Sequence, residues 1–79
     1  MPARVLFFGA TADITGHREI EIAVSDDLTA EAALKEIVRN LPGLGSHKLL
    51  ISINQQYAAQ DEIIRDGDEL AIFTAVSGG

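Results

Sequence analysis

The chain has 79 residues, 47% of them apolar and 23% charged, proportions that exclude a wholly disordered or fibrous polypeptide and allow one compact unit without a deep, self-sufficient cleft. It contains no cysteine, which excludes a disulfide framework, a thiolate metal centre and a cysteine nucleophile. Twelve acidic against six basic residues leave a net charge of −6, which repels nucleic-acid backbones and favours a partner with a basic surface.

Ala3 to Phe8 is rich in β-branched and aromatic residues, ends at Gly9, and predicts a buried first strand. Glu19 to Val24 alternates polar with apolar, the pattern of a strand with one face on the core, and the two strands form an opening hairpin. The connection from Gly9 to Arg18 carries two glycines, is too long for a tight turn, and reads as a surface loop. A helix follows from Thr29 to Leu41, with Thr29 as N-cap, Glu31 in the first turn, and a stripe of Leu34, Ile37, Val38 and Leu41 turned to the sheet. Pro42-Gly43 ends it, the glycine taking left-handed geometry. Leu49 to Ile53 is a third strand closed by Asn54-Gln55-Gln56. Arg65-Asp66-Gly67-Asp68 is a turn with its glycine at positive φ, and Glu69 to Thr74 is the last strand. Val5 to Phe8, the longest apolar run, falls far short of the about 20 residues a membrane span requires, and no basic segment leads an apolar signal region. Neither membrane nor export is expected, and the cytosol fits.

Two strands, a helix and further strands in so short a chain predict an α+β fold, the β-grasp or ubiquitin-like roll, with one main helix packed across a mixed sheet. In that topology the first and last strands run parallel, side by side. The domain spans residues 1–74, and residues 75–79, small and without periodicity, form a flexible C-terminal tail.

Side chains offer little for catalysis. His17 and His47 stand in separate loops without partners at coordinating spacing, so no metal site is expected. Asp26-Asp27 suit the approach to a helix N-terminus. Asp66 and Asp68 flank a turn glycine without the other ligands of a calcium loop, Gly43-Leu44-Gly45 lacks the context of a phosphate loop, and Asp61-Glu62 is a solvated pair. The informative feature is Gly78-Gly79. Without side chains these residues thread a channel too narrow for a Cβ and leave the Gly79 carboxylate unhindered. Five tail residues extend about 17 Å, enough to carry that carboxylate into a pocket on another protein. A free carboxylate has only oxide to expel, so reaction there needs ATP, used by a partner enzyme, to form an acyl-adenylate whose leaving group is AMP. Sulfur delivered to the acyl carbon then gives a thiocarboxylate. No cofactor bound to the chain itself is expected.

Arg4-Val5-Leu6-Phe7-Phe8-Gly9, Thr15-Gly16, Ser52-Ile53-Asn54-Gln55, Asp66-Gly67-Asp68-Glu69 and the closing Val76-Ser77-Gly78-Gly79 together resemble the molybdopterin synthase small-subunit family of ubiquitin-like sulfur carriers, over essentially the whole chain. The resemblance implies three partners: an adenylyltransferase of the ubiquitin-activating type, a sulfur donor protein, and a large catalytic subunit that uses the thiocarboxylate to build the molybdopterin dithiolene from a cyclic pyranopterin. It also implies a heterotetramer in which Val76, Ser77 and Gly78 enter the large subunit behind Gly79. Strand alternation turns Leu6, Phe8 and Phe73 away from the helix, and Phe8 and Phe73 match family positions that dock on the large subunit, with Tyr57 a third candidate. Thr74-Ala75 stands where many members carry two prolines. Carriers for thiamine or tRNA thiolation, protein modifiers and a non-catalytic interaction module share the fold and remain alternatives.

Overall fold

The computed structural model describes residues 2–74. The elements in chain order are β1 (Ala3–Phe7), α1 (Ala10–Thr15), β2 (Glu19–Ile22), α2 (Ala30–Asn40), a 3₁₀ turn (Pro42–Ser46), β3 (Leu49–Ile53), β4 (Gln56–Tyr57) and β5 (Glu69–Thr74). The strands make one mixed sheet in the order β2-β1-β5-β3-β4. β1 pairs antiparallel with β2 and parallel with β5, and β5 pairs antiparallel with β3. The parallel first and last strands and the single main helix are the arrangement expected of a β-grasp. Among the described residues no helix is long and apolar enough to cross a membrane.

Period-two alternation explains the core. Val5, Phe7, Leu70 and Ile72 point to one face of the sheet and are buried, with Ile51 and Ile53 beside them. α2 lies on that face, but its stripe is centred differently from the expected one. Ala30, Ala33 and Ile37 are buried, while Leu34, Val38 and Leu41 are half-buried at the flanks, because alanine lets the helix axis approach the sheet. The helix starts where its chemistry says it should: Thr29 Oγ1 accepts from the Ala32 N–H at 3.1 Å. The Ala30 and Glu31 N–H groups, orphaned at any helix start, donate to the carbonyls of Glu62 and Gln60 at 2.8 and 3.0 Å. The Asp61-Glu62 connection thus serves the helix through its backbone.

Three expectations need correction. The Gly9–Arg18 loop contains the six-residue α1, framed by Gly9 at φ 55° and by Gly16 at φ 73°, whose N–H donates to the Ala12 carbonyl. Ala12 and Ile14 pack on the core from above. Gly43 does not take the left-handed geometry; the chain runs from Pro42 into a 3₁₀ turn that buries Leu44 completely. Space at residue 43 is tight, since a Cβ there would sit 3.1 Å from Ile14 Cγ2 and that side chain would have to give by a few tenths of an ångström. Finally, Asn54-Gln55 is a hairpin turn leading into β4, both residues at positive φ (51° and 72°) as a type I′ turn requires. The first two strands are also shorter than expected, ending at Phe7 and Ile22.

The Arg65–Asp68 turn is as read, with Gly67 at φ 83°. The Asp68 carboxylate accepts from the Arg65 N–H at 2.8 Å and from Asn54 Nδ2 at 2.9 Å, and Asn54 Oδ1 accepts from the Glu69 N–H at 3.0 Å. This bracket ties the β3–β4 turn to the start of β5.

Candidate functional site

The residues that alternate away from α2 make a second, outer face. Strand register lines them up across the sheet: Leu6 opposite Ala71, Ala71 opposite Ser52, Ser52 opposite Tyr57, and Phe73 opposite Leu50. A shallow depression of about 350 Å³ results. Ser52 and Ala71 form its floor because their side chains are short. Phe8 and Phe73 rise on one side as a stacked pair, ring centroids 5.6 Å apart and planes within 10°. Tyr57 stands on the other side.

The three candidate interface residues therefore share one site. Phe8 is 49% exposed and Tyr57 76%, with Leu50 at 40% close by. The chain leaves this cluster of large apolar groups in water while it buries Val5, Leu70 and Ile72 completely. Its rim is acidic. Glu19, Glu21 and Glu69 stand on the outer face around Arg4, which is 2.6 Å from the Glu69 carboxylate and 3.6 Å from that of Glu19. These pairs are solvent-exposed and contribute little to stability. Their effect is to give the apolar patch a net negative border.

β5 is the central strand and ends at Thr74, beside Phe73. Ala75, Val76, Ser77, Gly78 and Gly79 come next and lie outside the described residues. The assignments of Gly79 as the reactive end and of Val76, Ser77 and Gly78 as the inserting segment fall there with them.

The other polar candidates stay apart. His17 and His47 are exposed in separate connections, and Asp26, Asp27, Asp61 and Glu62 are exposed as well. Among the described residues no three His, Asp or Glu side chains come together in a way that could hold a metal ion. Sequence reasoning missed Leu50, whose outward direction follows from the inward Ile51 next to it, and the small floor residues Ser52 and Ala71, which carry no signal without the register. It also missed Thr11, a fully buried hydroxyl in the segment read as a loop.

Residues 5–79 match the ThiS family. The molybdopterin synthase sulfur carrier subunit of Escherichia coli is 35% identical over 80 residues, covering 96% of this chain and 98% of that one. Its human counterpart is 32% identical over 80 residues, covering 95% and 91%. Among solved structures, small archaeal modifier protein 1 from Haloferax volcanii superposes with a TM-score of 0.85 at 30% identity over the full length of both chains. The resemblance read from the residues and the β-grasp inferred from the element order are both borne out, and the chain belongs to the ThiS family.

Proposed function

We propose that this chain is the sulfur carrier subunit of a molybdopterin synthase, with the Gly79 carboxylate as its reactive group. The observation that carries the reading is the family match, which runs through Gly78 and Gly79, in relatives named for sulfur carriage and matched over almost their whole length. The fold supports it. A central strand runs to Thr74 beside a stacked aromatic pair in which Phe8 is exposed and Phe73 half-buried, so one partner can grip the outer face while receiving the residues that follow.

In this mechanism a carboxylate oxygen of Gly79 attacks the α-phosphorus of ATP on an adenylyltransferase and expels pyrophosphate. Hydrosulfide attacks the acyl carbon, loses its proton to solvent, and AMP departs with the C–O bond electrons to leave a thiocarboxylate; a donor protein that carries the sulfur as a persulfide first forms an acyl disulfide, whose S–S bond a thiol reductant then cleaves to release the same thiocarboxylate. In the cytosol the large subunit takes that sulfur for the dithiolene of molybdopterin, and two carriers serve each product from a heterotetramer. The globular body contributes recognition through Phe8, Phe73 and Tyr57, and no side chain of its own enters the chemistry.

Intact-mass measurement after incubation with the adenylyltransferase, MgATP and a sulfur donor tests the reading. A gain of about 16 Da, sulfur replacing oxygen, is expected for the wild type and not for a chain lacking Gly79, whose melting temperature is expected to match that of the wild type. An unaltered mass with an active enzyme refutes sulfur carriage. The likeness to small archaeal modifier protein 1 favours a second use of the same activated end, conjugation to amines of other proteins. It is recognised in cell extracts as higher-mass adducts that contain this chain.

A further inference from the structure

Thr11 and Ser52 are the buried polar residues of the described chain, and Thr11 is completely sealed from solvent. A buried hydroxyl must find partners, and those it finds lie between the first and last strands. The Arg4 N–H donates to the Asp68 carbonyl at 3.0 Å, one rung of the parallel β1·β5 ladder, whereas Phe7, of the opposite parity, donates to the Arg18 carbonyl at 2.9 Å on the β2 side. With Phe7 opposite Ile72, continued alternation brings the Phe8 N–H to the Ile72 carbonyl as the next rung. Instead the Phe8 N–H donates to Thr11 Oγ1 at 3.0 Å, and the Thr11 hydroxyl donates to the Ile72 carbonyl at 2.8 Å. The same proton is shared with the Phe8 carbonyl at 2.9 Å, a three-centred bond. The hydroxyl is thus a relay set into the ladder. A direct rung holds nitrogen and oxygen about 2.9 Å apart, whereas two bonds in series through an oxygen hold them well beyond that.

We infer that Thr11 is a positioning residue: its hydroxyl spaces the ends of β1 and β5 so that Phe8 and Phe73 stack at the edge of the docking face and β5 reaches Thr74 in the orientation its partner reads. The consequence for activity rests on the sulfur-carrier reading above; the geometric part does not. Phe8 and Ile72 are held through their main chains, and the ring of Phe73 follows from the next residue of β5. Removing the hydroxyl leaves two outcomes. Either the Phe8 N–H closes directly on the Ile72 carbonyl and draws the strand ends together, or both groups stay unpaired in a dry site and the end of β1 loosens. In each case the stacked pair moves while buried apolar surface is nearly conserved.

Thr11→Val, of almost equal volume, and Thr11→Ser, which keeps the hydroxyl, are compared with the wild type well below their melting temperatures. Two properties are measured: the kinetics of the mass gain with the adenylyltransferase, MgATP and sulfide, and the NMR shifts of the Phe8 and Phe73 ring protons. Thr11→Val is expected to raise KM for the carrier about tenfold with kcat within about twofold, since docking geometry changes and the reacting carboxylate does not. Its ring protons move as the stack is lost, and Thr11→Ser restores both properties. If Thr11→Val does not fold, Thr11→Ala takes its place with the same expectation. Unchanged ring shifts in the valine variant, or a serine variant as impaired as the valine one, overturn the inference. A wild type that gains no sulfur refutes the carrier reading instead, and the ring shifts then decide the role of Thr11 alone.

Discussion

Replacing Phe8 with alanine separates recognition from folding. Phe8 is 49% exposed, so about half of the 1.5–3 kcal/mol available from burying a phenylalanine supports the fold, about 1 kcal/mol. Loss of the stack on Phe73, centroids 5.6 Å apart, adds about 0.5–1 kcal/mol. A total near 1.5–2 kcal/mol leaves most of a domain this size folded at 25 °C and lowers its melting temperature by about 6–16 °C. If the outer face is the docking surface, the same ring is buried again in the complex. A central aromatic anchor then contributes 2–4 kcal/mol to binding, a loss of roughly 30- to 1000-fold in affinity on truncation. The assay pairs urea denaturation of the carrier with calorimetric titration of the large subunit at a temperature where the variant is fully folded. A binding loss under about threefold in a folded variant refutes the assignment of this face as the interface, because it leaves the exposed Phe8 ring without the energetic role that explains its exposure.

Three further substitutions test how the scaffold holds the site. Thr29→Ala removes the acceptor of the Ala32 N–H and is expected to cost about 1 kcal/mol in denaturation experiments, with carrier activity retained below the new melting temperature. Gly67→Ala introduces a Cβ into open space but at φ 83°, so the expected cost of about 1 kcal/mol is backbone strain alone, and a neutral result refutes the positive φ. Asp68→Ala leaves Asn54 Nδ2 and the Arg65 N–H without their shared carboxylate and is expected to cost about 1–2 kcal/mol. Faster amide exchange at residues 54 and 65 is the local readout that ties that loss to the bracket.

Much of the scaffold was legible because its causes are local. The Thr29 cap, the Gly67 turn and the inward set Val5, Phe7, Leu70 and Ile72 each depend on residues within a few positions of one another, where period and turn chemistry act directly. What failed was also local but short. α1 has six residues, held by a glycine at each end, and β4 has two, so neither is long enough to establish a period. Gly43 does not take the left-handed geometry read for it, and the neighbour that makes its position tight, Ile14, arrives from another element.

The candidate site divides along the same line. The outward direction of Phe8 and Phe73 and the diglycine after the last strand could be read from the chain, since alternation and the absence of side chains are properties of the sequence itself. Only the tertiary structure could put Phe8 against Phe73, with Tyr57 across a floor of Ser52 and Ala71, because the site joins β1, β3, β4 and β5 from both ends of the chain, and no local pattern encodes which strand lies beside which. The same holds for Thr11, whose hydroxyl has no evident purpose until the parallel pairing of β1 and β5 brings the Ile72 carbonyl within reach.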